Sequence, residues 1–134
     1  MTTIYDDKFI TIELHDDSTI LIYTWKPTSA NLTVEKLFAG ASKVLTAVLE
    51  NKVQKIIGYD INFLYPIAPA VQVELNNAIL TNINNTIVKK FAHVESSEMI
   101  SQLSVEQFFD ENTQKTYEDK YFDNLNDALN WCKQ

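Results

Sequence analysis

Few side chains in this chain are of a type and spacing that could do chemistry, and the best of them gather around Asp60 and His93. His93 stands near the end of an apolar run, Ile87–Val94, with Glu95 two residues further on. Asp60 follows a second apolar run, Val53–Tyr59. An imidazole with Glu95 or Asp60 in reach could serve as a general base tuned by a carboxylate. The plainer alternative is a satisfied, partly buried structural histidine. Ser96, His93 and Asp60 make a triad on paper, but no Gly-x-Ser-x-Gly elbow is present to strain a nucleophile. We assign no catalytic residue. His15, beside a turn, is expected in solvent. The two histidines and the single cysteine share no ligand spacing, which leaves no metal site. Cys132 falls on the apolar side of a helical pattern and reads as a buried, inert thiol.

The chain has only two glycines, Gly40 and Gly58. Phosphate-cradling loops need several, so neither a Rossmann fingerprint nor a P-loop is present, and no cofactor is expected. The net charge of −7 argues against nucleic acid, whose phosphates call for clustered cations. Between Glu106 and Asp127 stand seven acidic residues and two lysines. That run reads as a solvated face, or else as a docking surface for a basic partner. No apolar run reaches the ~18 residues of a membrane span. The N-terminus lacks the pattern of a signal peptide, and one cysteine allows no internal disulfide. A cytoplasmic protein is therefore expected.

The elements that must position these residues are legible from periodicity. At 134 residues the chain is read as one domain, 1–134. Ile10, Ile12 and Leu14 alternate with polar neighbours, Asp16-Asp17-Ser18 is turn chemistry, and Thr19–Trp25 is β-branched and aromatic. Together they predict a hairpin. Thr33 can cap a helix carrying Val34, Leu37, Phe38, Ala41, Val44, Leu45 and Val48. Val53–Tyr59 is then a strand, parallel to the one before the helix. A second helix after Pro66 is expected to bury Val71, Leu75, Ala78 and Ile79. It leaves Val73 and Leu80 on its other side, where they form a candidate homodimer stripe. Ile87–Val94 is another strand, and short helices are expected from Ser96 or Ser97 and from Ser104. Tyr117–Phe122 reads as an edge strand. Asn124 caps a last helix with Leu125, Ala128, Leu129 and Cys132 on its core face. The fold class is α/β, with a mixed sheet of about five strands and helices packed on it.

Parallel strands bring three loops to one end of the sheet. They supply Trp25, Lys26, Thr28, Ser29 and Asn31, then Asp60, Asn62, Phe63 and Tyr65, then Glu95, Ser96 and Ser97, with His93 close by. Aromatic walls with a few polar groups suit a small ligand. The alternative is that the aromatics cover the sheet end and the polar groups cap helices.

The segment Lys120-Tyr121-Phe122-Asp123-Asn124-Leu125-Asn126-Asp127-Ala128-Leu129-Asn130-Trp131 resembles the ending of the SpoIIAA-like or STAS-like family: a strand closing on Phe, then a helix with Ala-Leu-x-Trp. The element order is similar over the whole chain. The resemblance implies a regulatory or ligand-binding module, as in anti-sigma-factor antagonists, or a relative of the lipid-binding Sec14 fold. Phosphorylated antagonists carry a Ser where the central strand meets the next helix, yet residues 60–70 here contain no Ser or Thr. A phosphate switch at that junction is not expected. The leading expectation is a non-enzymatic module that binds a protein partner, with a homodimer as a further option. A small apolar ligand at the sheet end comes second, and an enzyme using His93 and Asp60 third.

Overall fold

The strand Ile20–Trp25 (β3) alternates between two apolar sets, Ile20 and Ile22 on one side and Leu21, Tyr23 and Trp25 on the other, and all five are buried. Apolar groups on both sides mark a strand covered on both faces. A computed structural model, which describes residues 1–75, 77–78, 81–96 and 116–134, gives it that position. β3 pairs antiparallel with β2 (Ile10–Leu14) and parallel with β4 (Lys55–Tyr59), so the sheet changes sense here. β1 (Thr2–Asp6), β5 (Lys90–Val94) and β6 (Glu118–Phe122) complete a six-stranded sheet in the order β1-β2-β3-β4-β5-β6. The sixth strand, beyond the five expected, is β1. It is an edge strand, exposed along most of its length and irregular between Thr3 and Tyr5, so it carries no strong apolar alternation. β6 forms the opposite edge, as its polar sequence predicts.

Helix α1 (Val34–Glu50) begins where Thr33 accepts the Lys36 amide, and it buries Leu37, Gly40, Val44, Ala47 and Val48. It shares a core with α2 (Pro69–Leu75), α3 (Thr81–Ile83) and the sheet residues Leu21, Tyr23, Trp25, Ile56 and Phe91. The last helix, α4 (Leu125–Lys133), starts with Asn124 accepting the Asp127 amide. It packs Ala128, Trp131 and Cys132 against Ile20, Ile22, Ile57, Ala92 and Val94 on the opposite face. Each fully buried Ile or Leu in these two cores stabilises by roughly 1.5–3 kcal/mol. Cys132 is buried, and that burial pushes its thiol up to about 11.

Both glycines serve β3. A Cβ on Gly40 of α1 would lie 2.8 Å from the Trp25 ring, and one on Gly58 of β4 would lie 2.4 Å from the Tyr23 hydroxyl. Neither has positive φ, so each is required by close approach and not by backbone conformation.

Two expectations are corrected. Ala78 is exposed, while Gln72, a polar residue, is buried in α2 with Nε2 donating to the Ile67 carbonyl at 3.1 Å. α2 ends at Leu75, and residues 77–78 beyond it form a wider π-type turn, so Ala78 does not continue the face of Val71 and Leu75. His15 is half-buried, and its Nδ1 accepts the Asp17 amide. Ile79, Leu80 and the short helices expected to follow Ser96 or Ser97 and to start from Ser104 lie outside the described residues. Among those described, no helix is long and apolar enough to cross a membrane.

Candidate functional site

The loop leaving β4 is built from Asp60 outward. The Asp60 amide donates to the Val94 carbonyl at 2.8 Å, extending the parallel ladder by one residue. Its carbonyl then accepts the Phe63 amide at 3.0 Å, closing a turn that sends Phe63 inward. There Phe63 meets Trp25 edge-on at 5.3 Å and Tyr65 at 6.5 Å between ring centres. Such edge-on pairs add about 0.5–1.5 kcal/mol to the area they bury. Ile67 is buried behind them.

Ser29 fastens this loop from the other side. It lies in the 3-10 turn Pro27–Asn31 between β3 and α1 and is wholly buried. Its Oγ donates to the Asn62 carbonyl at 3.1 Å and accepts the Leu64 amide at 2.9 Å. With the aromatics inside, Asn31, Asn62 and Leu64 are left outside, Leu64 with 45% of its surface exposed. Lys26 is engaged away from the loop: its Nζ donates to Asp6 and to the Asp7 carbonyl, both at 2.6 Å.

Beneath the loop lies a buried polar row. Tyr23, Gly58, His93 and Tyr121 stand in register across β3, β4, β5 and β6. The missing side chain at Gly58 lets the Tyr23 ring lie across β4. The His93 imidazole is sandwiched by Phe91, stacked at 4.5 Å, and Tyr121, tilted at 4.9 Å. Its Nε2 and the Asp119 carboxylate are 2.7 Å apart, a short hydrogen bond. Asp60 and Glu95 are buried at the ends of β4 and β5. Burial raises the Asp60 carboxyl to about 7. The Tyr23 phenol is pushed well above its usual value, by burial first and then by Asp60, Tyr117 and Asp119 nearby. Among the described residues the patch thus holds three carboxyls and one imidazole.

The structure therefore divides the residues singled out by sequence into three groups. Trp25, Phe63 and Tyr65 cover the sheet end. Asp60, His93 and Glu95 share the buried row. Asn31 and Asn62 stand on the surface, with Lys26 held by Asp6. Val73 is exposed on α2, and Leu80 lies outside the described residues. Asp119, Tyr23, Tyr117 and Tyr121 were not anticipated. The signal for three of them was the alternation Tyr117, Asp119, Tyr121, which puts Asp119 and Tyr121 on one face of β6 and Tyr117 just before it; pairing β6 parallel to β5 then brings that face to His93. Chemically, an imidazole with none of its surface exposed can hold or release a proton within the fold but meets no substrate in this state. No protein-family model, curated protein or solved structure matches the chain.

Proposed function

We propose that this chain is a non-enzymatic, cytoplasmic STAS-like module that docks a protein partner on the loop end of its sheet. One observation carries the reading. The loop after β4 is held by Ser29 from one side and by Phe63 from within, and it presents Asn62 and Leu64 outward. A recognition loop fixed before binding loses little entropy when it docks, and an exposed leucine on the same loop as an exposed asparagine suits a protein contact. The absence of Ser and Thr from residues 60–70 favours a constitutive contact over a phosphate switch. Trp25, Phe63 and Tyr65 pack on one another, so a small apolar ligand would first have to part them. His93 is fully buried, which disfavours the enzyme reading. A homodimer through α2 is the second reading, carried by Val73, which keeps 52% of its surface exposed.

Native mass spectrometry of the protein purified from its own host tests this. The expected result is a second polypeptide in whole-number stoichiometry. A bare monomer contradicts it, a small-molecule adduct supports the ligand reading, and a doubled mass supports the homodimer.

A further inference from the structure

The 60–68 loop has a cationic neighbour. The turn Asp7–Phe9, between β1 and β2, lies at the same end of the sheet, because Ile10 pairs with Trp25 where β3 ends. Its three carbonyls are all taken. Lys26 Nζ donates to that of Asp7, Thr28 Oγ1 to that of Lys8, and the Lys26 amide to that of Phe9. The Asp7 carboxylate folds back into the turn, accepting the Phe9 and Ile10 amides and the Tyr5 hydroxyl. Asp6 accepts from Lys26 Nζ and from Thr11 Oγ1. Both acids are thereby engaged, and the Lys8 side chain projects from a fully hydrogen-bonded turn.

Lys8, Lys36 and Lys43 are exposed and form no ion pair among the described residues, although the chain carries 18 acidic residues. Lys8 and Lys36 reach over the Phe9 ring from two elements, 5.6 and 5.2 Å from its centre, so their ammoniums lie within about 11 Å of each other. Lys43, about two turns further along α1, stands 5.4 Å from the centre of the Tyr5 ring. Glu35 precedes Lys36 and is turned about 100° from it round the helix. Thr28, which holds Lys8, and Ser29, which holds Asn62 and Leu64, are neighbours in the 3-10 turn. Lys8 and Leu64, both exposed, therefore flank the same turn.

We propose that the partner meets this end of the sheet with an acidic, extended segment, setting one carboxylate on Lys8, a second on Lys36 and an apolar side chain against Leu64. Alternate side chains of an extended chain recur about every 7 Å on one side. Two ammoniums within about 11 Å of each other bridge that spacing. Contact with Phe9 already restrains both lysines, which lowers the ordering cost of an ion pair. A phosphate-rich partner fits less well. The chain has no arginine to grip phosphate with a planar fork, and its net charge of −7 repels a nucleic acid or an anionic bilayer. Where the segment sits rests on the partner reading above, but its chemistry is read with a synthetic probe on the free chain, so the two fail separately.

Hexaglutamate titrated into the free protein at low salt, followed by amide NMR shifts, provides the test. Saturating shifts are expected at Lys8, Phe9 and Lys36. In the unaltered protein the affinity should fall about tenfold at about 1 M salt, where the Debye length is about 3 Å. Lys8→Gln combined with Lys36→Gln should weaken binding at least about threefold. Lys52→Gln combined with Lys89→Gln removes the same charge at the opposite end of the sheet and should leave binding near the parent. Absent shifts at the turn overturn the proposal, and so does equal weakening by the two pairs of substitutions. A stronger response to inorganic phosphate, or to vesicles of equimolar phosphatidylcholine and phosphatidylserine, overturns it too, by assigning the lysines to a free anion or to a membrane surface.

Discussion

Replacing Gly58 by alanine places a methyl group where Tyr23 already lies. The new Cβ would stand 2.4 Å from the phenol oxygen, 2.6 Å from Cζ and 3.1 Å from Cε2, whereas ordinary contact begins at 3.4 Å. The ring must retreat by about 1 Å. It has little room, being 7% exposed with Phe91 edge-on at 6.2 Å. Overpacking of this kind costs about 1–3 kcal/mol. Alanine returns about 0.5–1 kcal/mol through the unfolded chain, leaving a net loss of about 1–2 kcal/mol. Urea unfolding followed by tryptophan fluorescence measures it. In a Tyr23→Leu background the same change should cost less, giving a coupling of about 1 kcal/mol. A Gly58→Ala protein as stable as the parent, with strictly additive behaviour in the cycle, would refute the close approach of Tyr23 to β4.

Other perturbations reach the pair beneath the loop and the first turn. Asp119→Ala leaves the His93 ring buried without its acceptor and is expected to cost about 3 kcal/mol, while Asp119→Asn, which keeps an acceptor, costs less; thermal or urea unfolding ranks them. Asp7 accepts the Phe9 and Ile10 amides and the Tyr5 hydroxyl, so Asp7→Ala should cost about 1–2 kcal/mol at neutral pH. Burial opposes ionisation of that carboxyl, but the three hydrogen bonds outweigh it and hold it below its usual value. Its contribution is therefore present above the ordinary carboxyl range and lost as pH falls through the lowered one. The gap between Asp7→Ala and the parent should close in acid.

What could be read from the sequence was what repeats. The alternation in Ile10–Leu14, the helical spacing from Val34 to Val48 and the caps at Thr33 and Asn124 are local signals, and each appears in the structure. β1 escaped because an exposed edge strand needs no apolar face. The exposure of Ala78 escaped because the helical spacing that starts at Val71 runs on in the sequence past Leu75, where α2 ends. The buried row was half legible. Asp60, His93 and Glu95 sit at the ends of two strong strands, whereas Asp119 joins His93 only through a pairing between strands 26 residues apart. Ser29 was placed in the right loop, but nothing in the sequence shows a hydroxyl tying Asn62 to Leu64.

The central claim is that the outer side of the 60–68 loop is where a partner docks. Its most direct test is the affinity of the co-purified partner for Leu64→Glu and for Val73→Glu, measured by calorimetry after circular dichroism has shown both to be folded. Loss of an anchoring leucine at a contact costs at least about 1.4 kcal/mol, so Leu64→Glu should weaken binding tenfold or more while Val73→Glu stays near the parent. Full affinity in Leu64→Glu, with binding lost in Val73→Glu, would move the contact to α2 and contradict the account.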